Sequence, residues 1–142
     1  MNLFGVLDIS GGALKAERLR AEVIAANIAN AETTRTEQGG PYVRQQVIFS
    51  AANSSAQLGG SLADGQVQGV NVSGPVSDTT PPVMRYEPGH PDANAAGMVA
   101  YPAINPVQEM VDLMGASRAY QLNAAAVQST KAMVQTSIDI LH

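Results

Sequence analysis

The 142-residue chain has no cysteine and no tryptophan, and Phe4, Phe49 and four tyrosines are its only aromatic residues. Without cysteine there can be no disulfide, no thiolate metal site and no cysteine nucleophile. The compartment stays open, because a reducing cytosol and an unbridged exported protein suit such a chain equally well. Aromatic side chains dominate the energetics of many cores, so this scarcity argues against a large autonomous core. Charge is sparse too. Eight basic residues face twelve acidic ones, for a net charge of −4 with no basic patch, which makes nucleic acid a poor partner. No apolar run is long enough to span a bilayer. The opening "MNLFGVLDISGGALKAER" places Asp8 early and has neither a basic leader nor a sustained apolar stretch. A cleaved secretory signal is therefore not expected, and any export would follow another route.

What is present separates into three regions: 1–31, 32–104 and 105–142. The first reads as a helix, with Leu7, Leu14, Ala21 and Ile28 spaced seven apart. Leu3, Ser10, Glu17, Ile24 and Ala31 form a weaker companion column. Gly11 and Gly12 lower helix propensity by roughly 1 kcal/mol each relative to Ala, so a thin or bent early turn is expected. The third region is the clearest. Leu113, Tyr120, Val127, Val134 and Leu141 repeat at seven-residue spacing, with Met110, Ser117, Ala124, Lys131 and Ile138 three residues earlier. Asn105 suits a cap and Pro106 the first helical position. The spacing predicts a helix from Pro106 to the end of the chain, on the order of 55 Å long, in a coiled-coil-like pairing.

The middle loses helical periodicity. Ser50–Gln66, "SAANSSAQLGGSLADGQ", is small, polar and glycine-rich; a flexible loop is expected over about 50–80. Short strands are expected at Tyr42–Phe49, Val67–Val72 and Pro82–Tyr86. Glu87–Gly97, "EPGHPDANAAG", reads as a turn-rich crossing. The fold class that results is mainly α, with two long terminal helices joined by a small β and loop segment.

Both helices carry more apolar surface than one shared seam can bury. Val23, Ala25, Ala26 and Ala29 lie off the first helix's main stripe, and Val111, Met114, Ala119, Ala126, Met133 and Ile140 lie off the second's. At roughly 0.8 kcal/mol per buried CH₂, leaving such faces wet forfeits several kcal/mol. Cover by other subunits is the expected solution; a bundle closed by the chain's own middle segment is the alternative. In "ANIANAETTRT" (Ala26–Thr36), Asn27 and Asn30 share one helical face. Either they are buried amides that set register, or Asn30 ends the helix as a left-handed cap and Asn27 is exposed.

Candidate chemistry is thin. Glu87, His90 and Asp92 fall within six residues and have the right types for acid–base or metal work. Pro88, Gly89 and Pro91 interleave them, however, and the only other histidine is His142, so a structural turn is the favoured reading. "GGPY" and "LGGS" lack the lysine and following helix of a phosphate loop. Arg118, in "SRAY", either pairs with an acid on a neighbouring chain or projects into solvent. No cofactor, metal or small-molecule substrate is expected.

"ANIANAETTRT" resembles the N-terminal motif of the axial proteins of the bacterial flagellum, carried here by Asn27, Asn30, Thr33, Thr34 and Arg35. "GGPYVRQ" (Gly39, Gly40, Pro41 and Tyr42 through Gln45) and "YEPGHPDANAAGMVAYPAIN" (with Pro88, Gly89, His90 and Pro91) narrow the likeness to proximal-rod subunits. "EMVDLMGASRAYQLN", which contains Arg118, extends it into the C-terminal helix. Met98 departs from the aromatic of the family pattern. The resemblance implies a structural subunit of the rod, the shaft joining the motor's membrane ring to the distal rod and hook. It implies export through the flagellar type III apparatus without a cleaved signal and a place in the rod as it crosses the periplasm. The partners it implies are other proximal and distal rod subunits and the junction protein at the membrane ring. It also implies an inner helical layer built from the columns above. A subunit of another type III secretion tube and a rod-associated cell-wall enzyme are the other classes weighed.

Overall fold

The computed structural model describes residues 3–51 and 69–140. Its elements are α1 (Leu3–Ala29), β1 (Gln45–Ala51), β2 (Val70–Ser77), β3 (Val83–Tyr86), β4 (Met98–Tyr101) and α2 (Pro106–Ile140). About 50% of the chain is helical and 19% strand, with the two helices packed together, as the sequence leads one to expect. His142 and Leu141 lie outside the described residues.

Helix α1 runs unbroken through Gly11 and Gly12. A Cβ on Gly12 would stand 3.6 Å from the Val70 carbonyl oxygen, and one on Gly69 would stand 3.9 Å from Ile9 Cγ1. The low-propensity glycine thus sits where the start of β2 meets the helix. Helix α2 begins as expected. The Val107 and Gln108 backbone N–H groups donate to Asn105 Oδ1 at 3.0 and 3.4 Å, and Pro106 has no N–H to leave unpaired.

The helices are antiparallel, since the end of α1 meets the start of α2 at Asn27 and Glu109. Ser10, Ala16, Val23, Ile24 and Asn27 are buried on α1, and Glu109, Ala116 and Thr130 on α2. The innermost column of α2 is therefore Glu109, Ala116, Asn123 and Thr130, small or polar at seven-residue spacing. Its polar members are satisfied locally: Asn123 Nδ2 donates to the Ala119 carbonyl and Thr130 Oγ1 to the Ala126 carbonyl, both at 2.9 Å. Leu113, Val127 and Val134 flank this column half-buried, whereas Met110, Ser117, Tyr120, Lys131 and Ile138 are exposed. The intramolecular seam lies one residue to the N-terminal side of the Met110 column, because Ala116 permits close approach and Glu109 is held by a charge partner.

Two antiparallel two-stranded sheets fill the middle, β1 with β2 and β3 with β4. Strand β1 starts three residues later than expected, because Thr33–Tyr42 closes as a turn. β2 runs on to Ser77, so Ser50, Ala51 and 70–77 are paired strand at the two ends of the expected 50–80 loop. The rest of that loop, 52–68, lies outside the described residues. The pairing steps by two residues on β1 and three on β2 between Gln46–Val76 and Ile48–Ser73. The extra residue falls at Gly74–Pro75, where a proline could not donate to the ladder. Strand β4 was not anticipated, since four residues after a glycine-rich turn carry little periodic signal. Its Val99 is fully buried.

Candidate functional site

The largest buried polar side chains gather where α1 ends. Asn27 is 1% exposed, and all four of its amide hydrogen-bonding positions are used. Its Nδ2 donates to the Gln45 carbonyl at 2.9 Å and to Glu109 Oε2 at 3.2 Å. Its Oδ1 accepts from the Gln45 backbone N–H at 2.9 Å and from the Tyr42 hydroxyl at 3.2 Å. Glu109, also 1% exposed, accepts from Arg44: Nε and Nη2 both reach Oε1 at 2.7 Å. Arg44 Nη1 lies 3.5 Å from Asp78 Oδ2. One network thus ties the end of α1, the start of α2, the entry to β1 and the exit of β2.

The electrostatics follow from this geometry. Burial, with the Glu109 charge adding to it, pushes the Tyr42 hydroxyl pKa up. Burial pulls the Arg44 pKa down, but the hydrogen bonds and charges of Glu109 and Asp78 outweigh it, and the net shift is upward. The Thr80 hydroxyl and backbone N–H hold the Asp78 carboxyl below its usual range, and Gln46 and Arg44 act in the same direction.

Asn30 acts differently from Asn27. No described non-glycine residue has positive φ, so Asn30 is not a left-handed cap. Its Nδ2 folds back to the Ala26 carbonyl at 2.9 Å, and its Oδ1 accepts from the Thr33 hydroxyl at 3.2 Å. The chain then reverses through Gly39 and Gly40, at φ 85° and 77°, which returns the Tyr42 N–H to the Thr33 carbonyl at 3.0 Å. This turn meets the "GHPDA" turn. Thr34 Oγ1 donates to Asp92 Oδ2 at 2.8 Å, and Arg35 Nη1 lies 3.6 Å from Asp92 Oδ1. Arg35, Gly39, Gly40, Pro41, Pro91 and Val99 line a cleft of about 440 Å³ between the two turns.

The three residues with catalytic chemistry serve as struts. Glu87 Oε2 accepts from the Tyr101 hydroxyl at 2.9 Å. His90 Nδ1 accepts from the Asp92 backbone N–H at 3.1 Å, and its ring stands edge-on to Tyr101 at 6.3 Å. Pro88 packs beside Gly97, whose φ is +72° and where a Cβ would come within 2.9 Å of Tyr86 Cε2. Among the described residues no three His, Cys, Asp or Glu side chains group as a metal site, and no helix is long and apolar enough to cross a membrane.

The outer face of α2 is the other notable surface. Val107, Val111, Met114, Leu122, Met133 and Ile140 are all exposed by half or more, at spacings of three, four or their sums, and Arg118 lies among them. In α1, Leu7, Leu14, Ala21 and Ile28 are half-buried, Ile24 is buried, and Ala25, Ala26 and Ala29 are exposed. Glu109, Arg44 and Asp78 were missed as site residues. The available signal was a pair of charges in a charge-poor chain, one at a helix's first turn seven residues before Ala116.

A locked helix pair with bare outer faces, whose acid and imidazole groups are engaged in turns, has the architecture of a structural subunit. The model of the flagella basal body rod protein family matches residues 7–35, and that of the flagellar basal body rod FlgEFG protein C-terminal region matches residues 95–140. Flagellar basal-body rod protein FlgC of Borreliella burgdorferi is 39% identical, with 100% of this chain and 99% of that protein covered. FlgC of Bacillus subtilis is 37% identical, with 99% of each covered, and FlgC of Salmonella typhimurium 36%, with 99% and 98% covered. The chain belongs to the flagellar basal-body rod protein FlgC family and is a structural rod subunit of the flagellar basal body.

Proposed function

We propose that the subunit polymerises through its terminal helices, within the proximal rod, into the shaft that carries torque from the motor to the distal rod and hook. The observation that carries this reading is the outer α2 stripe from Val107 to Ile140, left exposed among the described residues. A row of exposed apolar side chains of this kind marks an interaction surface. The columns at Leu7, Leu14, Ala21 and Ile28, and at Leu113, Tyr120, Val127 and Val134, then take part in the packed inner layer. The partners are neighbouring rod subunits and the junction protein at the membrane ring, reached after type III export without signal cleavage. The role is non-catalytic, supported by the structural engagement of Glu87, His90 and Asp92.

Met114→Asp tests this reading. Met114 is 64% exposed, so the monomer keeps its circular dichroism spectrum while incorporation into basal bodies and motility are lost. Normal incorporation of the variant would remove the outer α2 face from the assembly surface.

A further inference from the structure

The groove on one side of the helix pair holds a carboxylate oxygen with no hydrogen bond. Ala21, Ala25, Leu113, Ser117 and Tyr120 line an apolar hollow of about 510 Å³ between α1 and α2, and Glu17 stands at its edge. The Glu17 side chain is 13% exposed, and its Oε2 is the buried side-chain oxygen without a hydrogen-bond partner among the described residues. Arg20 Nη1 approaches only to 3.8 Å, too far for a hydrogen bond. The other rim acid, Glu22, is already paired with Arg18 at 2.9 Å.

The opposite need sits on α2. Arg118 makes no ion pair among the described residues and is the cation within the exposed stripe of Val111, Met114 and Leu122. Cover for that stripe desolvates the guanidinium, and a desolvated charge needs a hydrogen-bonded counter-charge. The stripe offers apolar knobs around one cation, and the groove offers an apolar hollow beside a carboxylate with one oxygen free of hydrogen bonds.

We propose that the groove receives the outer α2 face of a second copy of this chain, with Arg118 of the incoming copy donating to the Glu17 carboxylate. The inference rests on polymerisation through the terminal helices and specifies one contact of it. Both surfaces lie at the same height of the helix pair, between Leu113 and Leu122 on α2, so copies stand side by side rather than end to end. The two surfaces differ, so the contact is heterologous; each copy leaves one of each free, and the contact propagates around a ring or an open helix.

The lack of native cysteine makes the test direct. Basal bodies are isolated from cells expressing a mixture of E17C and R118C copies and treated with a short bis-maleimide, since an Arg–Glu pair holds its backbones beyond disulfide reach. The expected result is a dimer of this chain in the mixture, none with either variant alone, and a ladder from the E17C/R118C double variant. Absence of the dimer from rods that contain both variants would overturn the proposal, and so would linkage only to a different rod protein. In parallel, Glu17→Arg or Arg118→Glu alone should lower incorporation on the order of tenfold or more, with E17R/R118E restoring it. Failure of the swap to restore incorporation, with the monomer folded, would count against the pair. If instead the wild-type chain never enters the rod, the polymerisation reading itself fails, and that outcome is distinct from any of these.

Discussion

Asn27 is the residue on which the network joining the end of α1 to the start of α2 depends. It satisfies both backbone groups of Gln45 as well as Glu109 and Tyr42, so truncation strands several buried partners at once. Asn27→Ala should cost about 2–3 kcal/mol, read as a lowered urea midpoint, whereas Asn30→Ala, which loses bonds nearer the surface, should cost under about 1 kcal/mol. Equal effects would mean that the network is not what holds the helix end. The same cluster sets the limits in pH. Asp78 has a folded pKa below its unfolded value, so its contribution is present above the ordinary aspartate range and is lost as pH falls through the lower folded value. Tyr42 is raised, so its contribution is present below the ordinary tyrosine range and is lost as pH rises through the folded value. Thermal melts against pH should show both limbs, with Asp78→Asn removing part of the acid limb and Tyr42→Phe part of the alkaline one. The two asparagines were visible in the sequence as amides on one helical face. Their separate roles were not, because the partners of Asn27 come from residues 18 and 82 positions away.

At the scale of elements, legibility follows how local the cause is. The start of α2 was readable because Asn105 and Pro106 act on their own helix turn. Removing that cap by Asn105→Ala should cost about 1 kcal/mol, measured by thermal denaturation. β4 was not readable. It exists because Gly97 at φ +72° and the Asn94 side chain, which accepts from the Ala96 and Met98 N–H groups, fold a short hairpin back on β3. Gly97→Ala should therefore destabilise the β3–β4 hairpin by at least about 1 kcal/mol, since the added Cβ meets Tyr86 and Pro88. Faster exchange confined to 83–101 would identify the site of damage. The helical seam was half legible. Leu113, Val127 and Val134 do face inward in part, but a search for apolar columns passes over one made of Glu109, Ala116, Asn123 and Thr130. Such a column is tolerated because each polar group in it is bonded within reach.

Over the whole molecule, burial is unevenly distributed, and that shapes how the subunit should behave alone and assembled. Apart from Ser10, the buried residues of α1 lie in its second half, at Ala16, Val23, Ile24 and Asn27, and the last of them meets Glu109 at the start of α2. Beyond Thr130, α2 has no buried residue, and Met133, Ile138 and Ile140 are exposed. Local stability tracks buried contact, so amide exchange in the dilute monomer should be slowest over 23–27 and 109–116. It should quicken progressively toward 131–140, where little but the helix's own bonds resists opening and isolated helical turns are marginal in water. If neighbours cover the outer stripe in basal bodies, as proposed above, the gradient should flatten there into strong protection along the whole of α2. Uniform strong protection in the monomer would mean a self-sufficient bundle, in which assembly adds contacts without ordering the helices. A gradient that persists unchanged in the rod would mean that the distal half of α2 is not part of the packed layer. The expected gradient would make the Asn27–Glu109 end the folded seed and the bare end of α2 the part whose order depends on neighbours.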